Sequence, residues 1–70
     1  MIDSLILEEC KRNKEILDKK INSLEFAIKR SEEMIAESSI SENNLIFLRR
    51  KIAESSQDLE TLYLIKKRIY

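Results

Sequence analysis

Ser38-Ser39-Ile40-Ser41-Glu42-Asn43-Asn44 is the stretch whose reading decides the fold. On either side of it, apolar residues recur at alternating steps of three and four, the spacing of one face of an α-helix. Within it, serine side chains compete for backbone hydrogen bonds and interrupt a helix. Ser39-Ile40-Ser41-Glu42 fits a capping box, with Ser39 as N-cap and Glu42 reaching back; Ser41 is the alternative cap. Ile40 is placed to fold inward and close the end of the buried face. The stretch therefore predicts a turn near residues 38–41 between two helices.

Toward the N-terminus the pattern predicts one helix over about residues 3–37. Asp3 or Ser4 can cap its start, and Glu8 and Glu9 lie where the helix dipole favours anions. Its stripe reads Leu7, Cys10, Lys14, Leu17, Ile21, Leu24, Ile28, Ser31, Ile35, a heptad seam with Lys14 and Ser31 as polar breaks. Ala27 and Met34 flank the stripe, whereas Ile16 and Phe26 point elsewhere. Toward the C-terminus a second helix is predicted over about residues 42–69. Its stripe is Leu45, Leu48, Ile52, Ser55, Leu59, Leu62, Lys66, Ile69.

A chain reversing near Ile40 pairs residues whose numbers sum to about 79 or 80, as in an antiparallel coiled coil. Ile35 then faces Leu45, Ile28 faces Ile52, Ile21 faces Leu59, Leu17 faces Leu62 and Cys10 faces Ile69. Leu24 and Leu48 meet serines, and Lys14 meets Lys66, so the open end is expected to splay or to take a carboxylate from outside. The expected fold is all-α, a single two-helix antiparallel hairpin spanning residues 1–70. Its seam is Leu17, Ile21, Leu24, Ile28, Ile35, Leu45, Leu48, Ile52, Leu59 and Leu62. On this register residues 1–9 overhang Tyr70 with nothing in the chain to cover Ile2, Leu5, Ile6 and Leu7. Ile46, Phe47, Tyr63, Leu64 and Ile65 lie off the seam, and with Leu59 and Leu62 they leave the C-terminal half of the second helix apolar nearly all round. Such a helix is normally buried, and a lone hairpin cannot bury it. The expectation is a protein partner, contacted by Ile2, Leu5, Ile6, Phe47, Tyr63 and Leu64.

Composition narrows the chemistry. The 70 residues hold thirteen basic and thirteen acidic side chains, no histidine, glycine or proline, and one cysteine. A chain this short usually needs a disulfide, a metal or a partner to be stable. One cysteine excludes an internal disulfide, and the lack of histidine excludes His-based metal sites and Ser-His or Cys-His nucleophiles. Zero net charge argues against nucleic-acid binding through a broad positive face. The runs Arg49-Arg50-Lys51 and Lys66-Lys67-Arg68 read as solvated helix face, and the stronger basic stripe of the RNA-binding hairpins of plasmid copy-number regulators is missing. Glu8-Glu9 and Glu32-Glu33 are adjacent, so they diverge on a helix and make a poor catalytic pair. Cys10 reads as a small buried hydrophobe. No cofactor and no metal is expected, and the chain is read as non-enzymatic. The first nine residues lack a basic n-region, and the longest apolar run, Leu45 to Leu48, is far too short for a membrane span. The expected location is the bacterial cytoplasm, with no membrane association.

Two resemblances carry functional expectations. Ser56-Gln57-Asp58-Leu59-Glu60 resembles the Ser-Gln-Glu-Leu-Asp signature of the small aspartyl-phosphate phosphatases of sporulating bacteria, helical hairpins that act on response regulators. Here the last acid is Glu60, and the signature stands well beyond the turn. Over a longer stretch the chain resembles the YscE/PscE/EscE co-chaperones of type III secretion needles. Ser41-Glu42-Asn43-Asn44-Leu45-Ile46-Phe47-Leu48-Arg49-Arg50 matches that family's turn, polar opening and aromatic-containing apolar cluster, and Leu59-Glu60-Thr61-Leu62-Tyr63-Leu64-Ile65 matches its apolar C-terminal half. Many relatives have proline or glycine at the turn, where this chain has serines. The resemblance implies a helix-in-groove heterodimer with a larger TPR-like chaperone, the pair keeping a needle subunit soluble and monomeric, a role in virulence. The phosphatase, or a coiled-coil or four-helix-bundle dimerisation module formed by the chain alone, are the alternatives.

Overall fold

In a computed structural model, which describes residues 3–37 and 40–70, the chain forms three helices. They are α1 (Ser4–Arg12), α2 (Lys14–Ala36) and α3 (Glu42–Ile69). The two-helix hairpin is therefore corrected: the fold is all-α, but the single helix expected over residues 3–37 is broken at Asn13. Asn13 adopts an extended backbone (φ −138°, ψ 110°). Its N–H closes α1 on the Glu9 carbonyl at 3.0 Å. Its Oδ1 accepts from the Glu15 N–H at 2.9 Å and caps α2. Asparagine is a weak helix former and a strong N-cap, because its side chain offers the backbone an alternative partner. The flanks agree: Lys11 and Arg12 end α1, where the dipole favours cations, and Glu15 lies in the first turn of α2.

The other helix ends follow the same chemistry. Asp3 accepts from the Leu5 N–H at 3.0 Å and starts α1. Ser41 Oγ accepts from the Asn44 N–H at 3.3 Å and starts α3. The alternative cap of the serine stretch is the one used; Ser38 and Ser39 lie outside the described residues.

The break lets α1 fold back along α2. Ile6 shares a groove with Ile16, Lys20 and Ser23, and Leu7 and Lys11 share one with Thr61, Ile65 and Ile69. α1 therefore runs antiparallel to α2 and parallel to α3, over the end of the hairpin away from the turn. The expected overhang of residues 1–9 does not exist for the described part: Ile6 and Leu7 pack against the core. Ile2 lies outside the described residues.

The core sits where three helices meet. Cys10, Leu17 and Leu62 are 0 % exposed, and Ile21, Leu59 and Ile65 complete the cluster. Ile65, not Ile69, is the buried isoleucine near Cys10: Ile65 is 8 % exposed and Ile69 48 %. A two-helix seam turns Ile69 inward, whereas α1 covers the adjacent stripe of α3 and takes Ile65 instead. The expected clash of Lys14 with Lys66 is also corrected. Lys66 Nζ lies 3.1 Å from Asp18 Oδ1, so the carboxylate comes from within the chain, one turn along α2. Both side chains remain partly wet, and such a pair contributes at most about 1 kcal/mol.

Candidate partner-binding surface

α1 has 9 residues and α2 has 23, lengths of about 14 Å and about 35 Å at the α-helical rise. The third helix therefore covers less than half of the α2–α3 groove. The consequence is visible along the seam. Under α1, Leu17 and Leu62 are fully buried; toward the turn, Ile28, Ile35, Leu45 and Ile52 are only half-buried. Leu24, between the two regions, is half-buried against the core. Leu48 is the one apolar residue of the turn-proximal half to become buried, beside the buried serines Ser31 and Ser55. Ser31 meets its hydrogen-bonding need locally, its Oγ donating to the Ala27 carbonyl at 2.9 Å.

The uncovered part of the groove is lined by Met34, Glu37, Ile40, Asn44, Phe47 and Leu48. Phe47 is 62 % exposed and Met34 42 % exposed. Both lie on the side of the hairpin that α1 occupies further along, since Met34 and Ile16 stand eighteen residues, about five turns, apart on α2, as do Phe47 and Ile65 on α3. The surface thus has the floor of a three-helix groove and apolar rims, but no third helix.

The other expected contact residues separate into distinct places. Leu64 is half exposed and lines the groove between α1 and α3 with Leu7 and Ile69, whereas Ile46, also exposed, lies about five turns away on α3. Leu5 is exposed on α1, whereas Ile6 is turned partly into the protein. Tyr63 stands on the flank of α3 opposite Phe47. Burial raises its phenol above the ordinary value, and a hydrogen bond to the Glu25 carboxylate of α2 adds to the effect. The structure brings Phe47 together with Met34 and Ile40, a grouping the heptad analysis missed because Met34 was placed only as a flank of the seam.

Of the phosphatase-like stretch, Leu59 is a core residue, Asp58 is half-buried and Ser56, Gln57 and Glu60 are exposed. Cys10 is buried, and burial raises its thiol above the ordinary value, with the Glu9 carboxylate adding and Lys20 opposing. A raised thiol pKa leaves little thiolate, the reactive form. Among the described residues no group of three or more His, Cys, Asp and Glu side chains is arranged to hold a metal ion, and no helix is long and apolar enough to cross a membrane.

No family model matches the chain, and no match is found among the curated proteins or the solved structures.

Proposed function

We propose that the chain is a non-enzymatic binding module, a co-chaperone that pairs with a larger TPR-like helical chaperone in the bacterial cytoplasm. Together the two keep a type III secretion needle subunit soluble and monomeric. The observation that carries the reading is the half-covered groove, where Phe47 is 62 % exposed and Met34 42 % exposed beside Ile40 and Leu48. Apolar helix surface of this kind is what helix-in-groove recognition uses. Covering one large apolar side chain contributes roughly 1.5–3 kcal/mol, a favourable term that Phe47, Met34 and their neighbours would set against the cost of association. The pattern of residues 41–50 and 59–65 supports the specific class of partner.

The test is co-expression with a TPR-like chaperone and the needle subunit from the same genome. Phe47→Asp is expected to abolish co-purification while the isolated variant stays helical, since Phe47 contributes little to the core. Leu64→Asp tests the groove between α1 and α3 in the same way. Unchanged co-purification of both variants, with the needle subunit still monomeric by size exclusion, sinks the reading. Release of phosphate from a phosphorylated response-regulator domain, stopped by Glu60→Ala, replaces it with the phosphatase.

A further inference from the structure

Asn13 interrupts what the rest of the sequence writes as one helix. Leu7, Cys10, Lys14, Leu17 and Ile21 keep the heptad spacing across it. No glycine or proline enforces the corner, and Asn13 can adopt helical angles without strain. The corner is held by one side-chain cap, by the Tyr70 hydroxyl, which shares its proton between the Cys10 carbonyl at 3.1 Å and the Lys11 carbonyl at 2.8 Å, and by burial of α1 against α2 and α3. Straightening Asn13 turns residues 4–36 into one helix. The carbonyls ending α1, two of which the Tyr70 hydroxyl now holds, and the N–H groups starting α2 then hydrogen-bond each other as in any helix interior. What is lost is the burial of Ile6, Leu7 and Cys10, and the cover over Leu17, Leu62 and Ile65.

A second copy in the same state restores both losses. We infer that two copies of this chain exchange α1 through straightening at Asn13, each α1 packing on the α2–α3 pair of the other. A very short hinge joining two packed elements is the circumstance in which such exchange is cheap. The geometry also fixes the shape. Because α1 runs parallel to α3 toward Tyr70, a straightened chain carries its own α2 out past that end. The two bodies meet end to end. Ile69 and Tyr70, 48 % and 46 % exposed in the single chain, lie at that junction and are covered there. The groove around Phe47 stays open in both bodies, so exchange is independent of the co-chaperone reading.

The experiment uses the full chain. Light scattering after size exclusion gives the monomer–dimer constant for the wild type, Asn13→Ala and Asn13→Gly. Alanine removes the cap and favours the straight helix, so the dimer is expected to tighten roughly tenfold or more. Glycine retains the corner and disfavours the straight helix, so the dimer is expected to be no tighter than the wild type's and roughly tenfold or more weaker than that of Asn13→Ala. In a dimer assembled from isotope-labelled and unlabelled chains, filtered NOE spectra are expected to show contacts between Leu7 of one chain and Ile65 of the other. A wild type that stays monomeric up to about 1 mM, an affinity too weak to matter, overturns the inference. So does a dimer whose Leu7–Ile65 contacts are all intramolecular, the signature of a face-to-face four-helix bundle. Neither result bears on co-purification with a TPR-like chaperone.

Discussion

Replacing Ile65 and Ile69 one at a time by alanine separates the three-helix fold from a hairpin. The two residues are one turn apart on α3, equal in chemistry, and exchange places between the two architectures. In the structure Ile65 is 8 % exposed within the core cluster and Ile69 is 48 % exposed. Burying an isoleucine contributes roughly 1.5–3 kcal/mol by transfer alone, and truncation to alanine adds a cavity term, for about 2–5 kcal/mol in total. Ile65 lies near the end of the bundle, where the walls can relax, so the lower part of that range, about 2–3 kcal/mol, is expected. Ile69→Ala is expected to cost under about 1 kcal/mol, since half of its surface is already wet. Thermal unfolding followed by far-UV circular dichroism reads the difference. In a domain of this size 1 kcal/mol moves Tm by roughly 4–8 °C, so Ile65→Ala falls by at least about 8 °C and Ile69→Ala by much less. A chain this small has only a few kcal/mol in reserve. If Ile65→Ala is unfolded at the outset, Ile65→Val, expected to cost about 0.5–1.5 kcal/mol, reads the same contrast against Ile69→Val. An Ile69 variant destabilised as much as its Ile65 counterpart refutes the packing of α1 on α3.

Two further perturbations report on α1. Tyr70→Phe removes the hydroxyl that donates to the Cys10 and Lys11 carbonyls, and is expected to cost about 0.5–1.5 kcal/mol, with faster amide hydrogen exchange confined to α1 and the start of α2. Cys10 titrates with a raised pKa because burial disfavours the thiolate, so the folded chain holds the thiol proton more tightly than the unfolded one. The resulting stability is complete below the ordinary value of 9.0 and is lost as pH rises through the folded-state value; Tm is expected to fall more steeply above pH 9 in the wild type than in Cys10→Ala, and alkylation of Cys10 at neutral pH is expected to be slow until denaturant opens the core.

Much of the α2–α3 pairing is legible in the spacing of residues. Leu17, Ile21, Leu48, Leu59 and Leu62 are buried positions of the heptad stripe, and Ser31 and Ser55 are buried within it as its polar breaks. The break at Asn13 is harder to read because the stripe passes through it undisturbed. The signal that marks it is local: two basic residues, a residue with a capping side chain, then an acid two positions on, the end of one helix and the start of another. Ile65 was illegible for a different reason. Its burial depends on α1, and a side chain off a two-helix seam becomes core only once a third helix is known to lie beside it. The same missing helix explains the error over residues 1–9, and the Lys66–Asp18 pair joins side chains one turn away from the facing positions of the heptad register.

The candidate surface follows from one inequality of length. α1 completes a three-helix core where it lies and stops, leaving α2 and α3 to continue as a pair. A two-helix pair cannot exclude water from both sides of its seam, which is why Ile28, Ile35, Leu45 and Ile52 remain half-buried while Leu17 and Leu62 are sealed. A helix that lies along the groove toward the turn gains from Ile40 and Leu48 as well as from the exposed rim of Phe47 and Met34. It extends the core rather than merely touching the surface. This distinguishes the groove from the surface of α3 around the exposed Ile46. On the proposed reading it would also account for the exposed Phe47 and Met34, which would pack under a third helix that this chain supplies over only part of the α2–α3 pair.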